Sequence, residues 1–347
     1  MVPAGSSCIT SPTEVEVRFF MISSYLITHY YHSGFSVAFE DLLFVFDYWR
    51  GENGELPPDR QISREGLQAY RKVYVFISHE HVDHLDPIVF TWKEYADVTY
   101  LVSSDMPVGT RGKRVAPGDR VDLEDGVFVT GFDSTDLGVS FLLNVKGFQI
   151  FHAGDLNFWH WRDESTLQEI EEAQLEFQEA VRPLTREIID VAFFPVDPRQ
   201  GTMFEAGANY FILSVKPRLL IPMHYFHRDD VAVDYARTAS CRSTEVLAMP
   251  GYGDSVLLRT DGKEFLDISF PREEPREEDQ PLEEVISNNP FFESDLPLTQ
   301  LADPSAKKEE GTEETSDAQA VESPGEATGP DSDDMENGAV NDAFPAP

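Results

Sequence analysis

The sequence contains very little cysteine: Cys8 and Cys241 are the two cysteines among 347 residues. Two residues so far apart cannot form the dense disulfide framework of small secreted domains, so we expect a reducing compartment and a cytoplasmic location. The sequence also lacks any run of about 18 apolar residues, the length that a membrane span needs. Residues 1–7 lack the basic start and apolar stretch of a signal peptide. We therefore expect neither secretion nor a membrane span.

Basic residues are scarce as well. The 27 Lys and Arg against 63 Asp and Glu give a formal net charge of −36. From residue 271 to the end there are 22 acidic and 4 basic residues, so this part carries half of the net charge. The first 270 residues keep an acidic excess of the same size, and such a surface repels phosphate backbones at long range. Nucleic acid is therefore not expected as a partner, although a metal site could still bind a phosphate group.

Apolar residues suffice for a core along most of the chain, since 41% of the residues are hydrophobic and 12% are aromatic. Residues 1–14 are rich in Ser, Thr, Pro and Gly and are expected to form a flexible lead. From 271 to 347 the composition changes to Glu, Asp, Pro, Ser, Gly and Ala. Such a tail cannot bury enough apolar surface to offset its chain entropy, so it is expected to be disordered. One folded domain is expected over residues 15–270.

Runs of β-prone residues make up most of this domain. A first stretch rich in Phe, Tyr, Ile and Thr covers residues 15–32. Apolar runs bounded by turn residues predict further strands at 35–39, 42–46, 73–77, 100–102, 127–130, 139–144, 148–152, 191–194 and 219–223. Helices are predicted at 163–181 and 206–215. Strands in two groups with helices between them predict an α+β fold, in which two sheets pack together and are covered by helices.

The strongest chemical signal is the run His79-Glu80-His81-Val82-Asp83-His84, which places four potential metal ligands within six residues. The run follows directly after the predicted strand at 73–77. The strand end fixes the backbone, and the loop after it can turn side chains toward two points a few ångströms apart. His79 and His81 would then hold one cation, and Asp83 and His84 a second. An exposed polar loop is the alternative, but such a density of ligands is rare in a loop that only faces solvent.

These residues resemble the His-x-His-x-Asp-His signature of the metallo-β-lactamase superfamily. His32-Ser33-Gly34-Phe35 and Phe46-Asp47 resemble the opening strands of the subgroup that includes L-ascorbate 6-phosphate lactonase-like enzymes and N-acyl phosphatidylethanolamine phospholipase D. Residues 151–155 resemble the segment whose aspartate bridges two metals, and residues 221–224 the strand end that supplies the last histidine. The resemblance covers about residues 15–270. It implies a four-layer αββα sandwich with the site on one edge of the two sheets.

The resemblance also implies two divalent metal ions. Their ligands would be His79, His81, Asp83, His84, Asp155 and His224. Asp83 and Asp155 would be catalytic, with Asp155 holding and orienting the nucleophile. Two of these residues also have plainer interpretations. Asp155 could cap a helix or make a turn with Gly154, and His224 could be a core histidine bonded to the backbone.

One position departs from the family pattern. Family members usually carry a third histidine for the first metal, between the His-rich run and the bridging aspartate, but residues 131–141 contain no histidine. Asp136 or Asp133 could take its place, as could the more distant His160, or fewer groups could hold the metal. A carboxylate in place of an imidazole shifts the preference from zinc toward manganese or iron. The same aspartates could equally serve turns beside the neighbouring glycines.

Several further residues are candidates for substrate contact, because their segments are expected at the same sheet edge. They are His32, Asn157, Trp159, His160 and Arg199. Aromatic walls with one arginine would suit a small anionic or amphipathic molecule. His32 could instead brace the metal site, and Arg199 could simply pair with Asp197. His152 is expected to support the ligands rather than to bind metal.

The leading hypothesis is a metal-dependent hydrolase that uses a metal-bound hydroxide on a small ester, lactone, amide or phosphodiester. The rival is a catalytically weak scaffold that binds metal or a ligand and acts through the acidic tail; the missing third histidine favours it. A redox role, as in the flavodiiron members of the superfamily, is disfavoured because no flavin domain is attached. A homo-oligomer is left open.

Overall fold

The computed structural model describes residues 22–271. The predicted lead at 1–14, the first residues of the predicted domain at 15–21, and the acidic tail from residue 272 lie outside this range. The predicted domain boundaries therefore remain predictions. Among the described residues, no helix combines the length and the apolar character that crossing a membrane requires.

Strands dominate the described part of the chain, with short helices between them. The strands are β1 (Ser23–His29), β2 (Phe35–Phe39), β3 (Leu42–Phe46), β4 (Lys72–Ile77), β5 (Val98–Ser103), β6 (Lys113–Val115), β7 (Arg120–Glu124), β8 (Val127–Phe132), β9 (Ser140–Val145), β10 (Phe148–His152), β11 (Val191–Pro195), β12 (Leu219–Met223), β13 (Glu245–Val246), β14 (Ser255–Thr260) and β15 (Phe265–Ser269). The α-helices are α1 (Arg64–Gln68), α2 (Leu167–Val181), α3 (Ala206–Val215) and α4 (Asp229–Ala239). Short 3₁₀-helices lie at Pro58–Arg60, Pro87–Glu94, Arg182–Arg186 and Pro198–Gln200.

The strands form two mixed sheets. The first has the order β15-β14-β1-β2-β3-β4-β5-β6 and is parallel from β3 to β6. The second has the order β13-β12-β11-β10-β9-β8-β7 and is parallel from β10 to β13. Helices flank the two sheets. The α+β fold with αββα layers that the sequence predicts is confirmed.

The core follows the two-residue alternation of the strands. Phe46 of β3 and Phe76 of β4 lie in the larger apolar cluster, which also contains Phe193 of the second sheet. Their neighbours Val45 and Val75 point to the opposite face of the first sheet and join a separate cluster there. A fully buried side chain of this size stabilises the fold by about 1.5–3 kcal/mol. Both faces of the first sheet are therefore covered, which explains why its central strands are apolar throughout.

The parallel strands direct their carboxyl ends to the same end of the sandwich. In the first sheet β3 ends just before Asp47, and β4 ends just before the His-rich run. In the second sheet Asp155, Asp197 and His224 follow β10, β11 and β12. Backbone at a strand end is held by the sheet while the loop after it can vary in direction, so such positions are suited to carry functional side chains.

The structure differs from the predicted elements at some boundaries. Helix α2 begins at Leu167 rather than near residue 163, because Thr166 caps it. The Thr166 hydroxyl accepts a hydrogen bond from the Glu169 backbone N–H, and the Glu169 carboxylate accepts one from the Thr166 N–H. The sequence did not predict α1, α4, the strands β6, β7 and β13, or the hairpin β14–β15. Charged residues on the outward positions of that hairpin, such as Arg259, interrupt its apolar pattern.

Candidate metal centre

Seven residues with metal-ligating side chains converge at the carboxyl ends of the strands, in two groups. The inner group is His32, Asp83, His84 and His224; the outer group is His79, His81 and Asp155. Within each group the ligand atoms lie within 4.8 Å of one another. All six of the residues expected to bind metal are therefore brought to one place, and His32 lies among them.

Asp155 lies between the two groups. Its Oδ1 is 3.0 Å from Nε2 of His84 and 3.2 Å from Nε2 of His224. Its Oδ2 is 3.3 Å from Nε2 of His79. Burial opposes ionisation, but His84 and His224 hold the pKa of Asp155 well below its usual range. Asp155 is thus a buried carboxylate with one oxygen facing each group.

Three buried polar atoms at this point lie close together but form no well-aligned hydrogen bond with any described residue: Nε2 of His84, Nε2 of His224 and Oδ1 of Asp155. A buried polar atom without a partner costs about 1–3 kcal/mol, so three that converge indicate a group that binds all of them. A divalent cation does so, because imidazole nitrogens and carboxylate oxygens are its common ligands. The residues present fit a bound metal ion.

Asp47 holds one histidine of each group. Its Oδ2 lies 2.9 Å from Nδ1 of His84. It also accepts hydrogen bonds from the Ser78 backbone N–H at 2.8 Å and the Ser78 hydroxyl at 2.6 Å. The same hydroxyl lies 2.8 Å from Nδ1 of His79. Burial opposes ionisation, but the bond to His84 and nearby histidines lower the pKa of Asp47. Asp47 therefore orients His84 directly and His79 through Ser78.

Asp197 holds the third buried histidine. Nδ1 of His224 lies 3.0 Å from Oδ2 of Asp197, and the Arg199 guanidinium donates to the same carboxylate at 2.6 Å and 2.9 Å. Burial opposes ionisation, but His224 and Arg199 lower the pKa of Asp197 to about 2. Asp155 and Asp197 raise the pKa of His224 to about 9 against the effect of burial. Arg199, expected at the substrate, is thus placed behind His224 as the counter-charge of Asp197.

The outer group is more open. The side chain of His81 is 38% exposed, and its Nδ1 lies 3.0 Å from Nε2 of His79. Asp136, one of the candidates to replace the missing third histidine, has Oδ2 3.8 Å from Nδ1 of His81. It therefore lies beside His81 on the more exposed part of the centre, where a carboxylate could reach a cation held by the outer group.

Three residues of the centre have backbone conformations that side chains rarely adopt. His32, Asp47 and His224 have positive φ angles of 56°, 41° and 66°. Each such conformation costs about 1 kcal/mol or more and persists only where the surrounding structure fixes it. All three lie where the chain turns at a strand end, so the strain directs their side chains into the centre.

Two glycines allow the sheets to approach at the His-rich run. Gly138 has a φ of 83°, and a Cβ there would collide with the Ser78 carbonyl oxygen. Gly154 has a φ of 55°, and its Cβ would lie 2.9 Å from Cβ of Ser78. The Val139 N–H donates to the same Ser78 carbonyl at 3.1 Å. Larger residues at either glycine would push the second sheet away from His79.

The remaining candidates for substrate contact separate into two kinds. Trp159 is half-buried; its ring lies 5.5 Å from that of His224 and its indole N–H donates to the Asp155 carbonyl. The side chain of Asn157 is fully buried. His160 is buried as well, and its two ring nitrogens bond to the backbone of Arg162 and Met203. Trp159 therefore lies at the centre and His160 is held by backbone groups, whereas the buried side-chain amide of Asn157 forms no hydrogen bond with any described residue.

Aromatic side chains flank the inner group. The ring of Phe226 lies 4.0 Å from that of His32, and the ring of Trp49 lies 5.9 Å from it. Trp159 stacks with Trp161 at 6.0 Å. These rings are partly exposed. A half-exposed aromatic surface next to polar ligands is typical of a pocket for a small molecule with an apolar part.

Two further observations concern the surroundings of the centre. His152 lies outside both groups; its Nε2 bonds to the Ser33 carbonyl at 2.9 Å.

A groove of about 560 Å³ runs beside the His-rich run and is lined by Glu80, Phe90 and Arg111 among others, but by no residue of either group. Its position does not identify it as the reaction site, because the convergent buried acceptors lie elsewhere.

Comparisons with known proteins place the chain among distant structural neighbours. No family model matches the sequence, and no curated protein matches it. A proposed metal-dependent hydrolase from Parabacteroides distasonis is 17% identical, with a TM-score of 0.47, over 66% of this chain and 94% of that one. Igni18, a metallo hydrolase from the archaeon Ignicoccus hospitalis, is 15% identical, with a TM-score of 0.48, over 67% and 98%. The metallo-β-lactamase fold protein YhfI from Bacillus subtilis is 13% identical, with a TM-score of 0.44, over 69% and 99%.

Proposed function

We propose that this chain is a metal-dependent hydrolase of the metallo-β-lactamase type, which holds two divalent cations and cleaves a small ester, lactone, amide or phosphodiester. The observation that carries the proposal is the convergence of buried polar atoms from His84, His224 and Asp155 that form no well-aligned hydrogen bond with any described residue. Fixed dipoles and carboxylates behind these ligands would keep them in place before a cation arrives. A site built in this way is suited to catalysis as well as to binding.

Divalent cations bound here would lower the pKa of a water molecule and polarise the carbonyl or phosphoryl oxygen of a substrate. Asp155, with one oxygen toward each group, would hold and orient the attacking water. Asp83 is the more exposed carboxylate of the centre, at 19% of its side-chain surface, and would meet the substrate first. Burial opposes ionisation of Asp83, but His32 and His84 keep its pKa below the usual range. Both carboxylates would therefore act in their ionised form.

The surroundings favour a substrate with an apolar part. Trp159 and Phe226 would contact that part, while Arg199 is already neutralised by Asp197 and offers little net charge to an anion. The finer assignment to the lactonase-like and phospholipase D-like subgroup is part of this proposal. It rests on the sequence around His32 and Asp47. Zinc suits the imidazole-rich inner group, and manganese or iron would be favoured where Asp136 takes part.

A metal-binding scaffold without appreciable catalysis is the second candidate. The outer group favours it, because His81 is exposed and no third imidazole lies among the described residues of that group. A chain that retains one cation and hydrolyses nothing would fit this candidate. Action through the acidic tail would involve residues outside the described range.

Cellular location and assembly are proposed on chemical grounds. Cys241 is free and exposed, as expected of a protein kept in a reducing compartment such as the cytoplasm. A small-molecule substrate and no nucleic-acid partner are proposed from the pocket and from the net negative charge. A homo-oligomer is compatible with the proposal.

The test is hydrolysis by the full chain after removal of metals and reconstitution with Zn²⁺ or Mn²⁺. A phosphodiester and a panel of lactones and esters would be compared, with the wild type against Asp83→Ala. We expect Asp83→Ala to lose at least about 100-fold in kcat/KM, because a site residue that supports metal chemistry contributes several kcal/mol. Glu80→Gln is the matched control, since Glu80 lies in the same run but in neither group. Equal activity of the wild type and Asp83→Ala would contradict the proposal.

A further inference from the structure

Three histidines of the centre present Nδ1 to an acceptor. The pairs are His84 with the Asp47 carboxylate at 2.9 Å, His224 with the Asp197 carboxylate at 3.0 Å, and His79 with the Ser78 hydroxyl at 2.8 Å. The Ser78 hydroxyl donates its own proton to Asp47, so it accepts from His79. Each of these imidazoles therefore carries a proton on Nδ1. The lone pair on Nε2 is left to bind a cation.

His32 has the opposite arrangement. Its Nδ1 accepts a hydrogen bond from the backbone N–H of Phe226 at 3.3 Å, and a backbone N–H can only donate. Nδ1 of His32 must therefore carry the lone pair, and its proton must be on Nε2. A protonated nitrogen cannot bind a cation. Although His32 lies within ligand distance of the inner group, its hydrogen bonding prevents it from acting like the other histidines.

The proton on Nε2 of His32 faces Asp83. Nε2 lies 3.3 Å from Oδ2 of Asp83, without forming a well-aligned hydrogen bond, and it contacts no other described acceptor. Because the ring is fully buried, an unused donor there is costly, and a small rotation of the Asp83 carboxylate would satisfy it. A ring turned over by 180° would place a carbon instead of Nδ1 at the Phe226 N–H, so this hydrogen bond fixes the ring orientation.

We propose that His32 is a positioning residue that donates its Nε2 proton to Asp83, and that it is not a fourth ligand of the inner group. This inference rests on the proposed function, in which Asp83 acts beside bound cations. With Oδ2 of Asp83 held by His32, the carboxylate cannot rotate freely, and Oδ1 is fixed for the cation or the attacking water. His32 has a positive φ of 56°, a strained backbone conformation that is needed to place this donor beside Asp83.

The first test reads the tautomer directly. Long-range ¹H–¹⁵N NMR spectra of the full chain would be recorded with and without Zn²⁺, and the His32 signals would be assigned by their loss in His32→Gln. We expect His32 to carry its proton on Nε2 and none on Nδ1 in both states, whereas Nδ1 of His84 and Nδ1 of His224 should carry a proton in both states. A His32 proton on Nδ1, or a metal-shifted Nε2, would overturn the inference. The spectrum of the metal-free protein tests the tautomer of His32 even if the chain binds no metal. A chain that binds no metal would contradict the proposed function without contradicting the tautomer.

The second test uses a matched pair of variants. The amide nitrogen of Gln can reach the position of Nε2, so His32→Gln keeps a donor toward Asp83, whereas His32→Phe keeps only the ring. We expect His32→Gln to bind the same number of Co²⁺ ions, with an unchanged visible spectrum. We expect His32→Phe to bind the first equivalent about 10–100-fold more weakly. If both variants lose the first Co²⁺ and change the spectrum alike, His32 is a ligand and the inference is wrong. Circular dichroism would show whether each variant is folded, and His32→Phe would provide the same NMR assignment if His32→Gln did not fold.

Discussion

The inner and outer groups differ in how firmly their imidazoles are held. In the inner group, His84 and His224 are buried, and each has a carboxylate at Nδ1. In the outer group, the His81 side chain is 38% exposed, and its Nδ1 bonds to Nε2 of His79, the atom that would have to bind the cation. A cation at the outer group must therefore break a hydrogen bond between two imidazoles, and the described residues of the inner group have no such bond. The same set of residue types thus gives one preorganised position and one that must rearrange.

The difference between the two groups shows that the residue types of the ligands do not by themselves determine the affinity for a cation. A preorganised site avoids the cost of ordering its side chains when the cation binds, and its buried lone pairs gain a partner that they otherwise lack. The outer group offers two imidazoles and an oxygen of Asp155, of which one imidazole competes with solvent. We expect two binding events, with the inner position filled first.

The largest expected effect comes from removing one imidazole from each group in turn. We expect His84→Ala to weaken the first equivalent of Zn²⁺ by about 1000-fold, since it removes a buried ligand and takes the imidazole partner from the buried Asp47 carboxylate. We expect His81→Ala to leave the first equivalent unchanged and to weaken only the second. Competition against a chromogenic chelator, with elemental analysis of the dialysed protein, measures both. If His81→Ala loses the tight equivalent while His84→Ala keeps it, the order of the two groups is reversed.

A smaller effect is expected from the carboxylate behind His224. Asp197→Asn removes the charge at Nδ1 of His224 and leaves Arg199 without its counter-ion. We expect the inner position to bind Zn²⁺ about 10–100-fold more weakly, which is the usual effect of removing such a support. Asp136→Asn is the matched control, because Asp136 lies beside His81, and it should alter only the weaker equivalent. If Asp197→Asn binds Zn²⁺ as tightly as the wild type, the Asp197 carboxylate does not contribute to the affinity of the inner position.

Much of this comparison could be predicted from local sequence patterns. Apolar runs identified ten of the fifteen described strands, and the end of an apolar strand identified the positions of the His-rich run, Asp155 and His224. These predictions succeed because alternation and strand ends are local properties of the chain. The same reasoning could have singled out Asp47 and Asp197, which also follow apolar strands directly. Sequence reasoning treated Asp47 only as part of a motif and Asp197 only as a partner of Arg199.

The rest could not be predicted, because it depends on contacts between distant residues. The bond from His84 to Asp47 joins residues 37 apart, and that from His32 to the Phe226 backbone joins residues 194 apart. No pattern in the sequence distinguishes the tautomer of His32 from that of His84. Asn157 and His160 were expected at the substrate because they follow Asp155, but the chain turns inward there and buries both. Position along the chain locates a loop, whereas packing decides which of its side chains face the site.

The smallest expected effect is a difference in pH dependence between the two equivalents. Asp155 and Asp197 raise the pKa of His224 to about 9, although burial opposes this, and Asp155 likewise raises the pKa of His84. At pH 7 the metal-free inner group therefore holds protons that must leave before a cation binds, so its affinity for Zn²⁺ should rise with pH until about 9. Each released proton changes the affinity about tenfold per pH unit.

Calorimetric titration with Zn²⁺ at pH 7, in buffers of different ionisation enthalpy, measures this release. We expect the first equivalent to release between one and two protons from the inner group, because His84 and His224 are the groups whose pKa values are raised there. In Asp197→Asn the pKa of His224 should fall, and the release should decrease with it. A first equivalent whose enthalpy is the same in every buffer would show that the inner imidazoles are already neutral. The advantage of the inner position would then come from its geometry alone, without a contribution from the buried carboxylates to the protonation of its ligands.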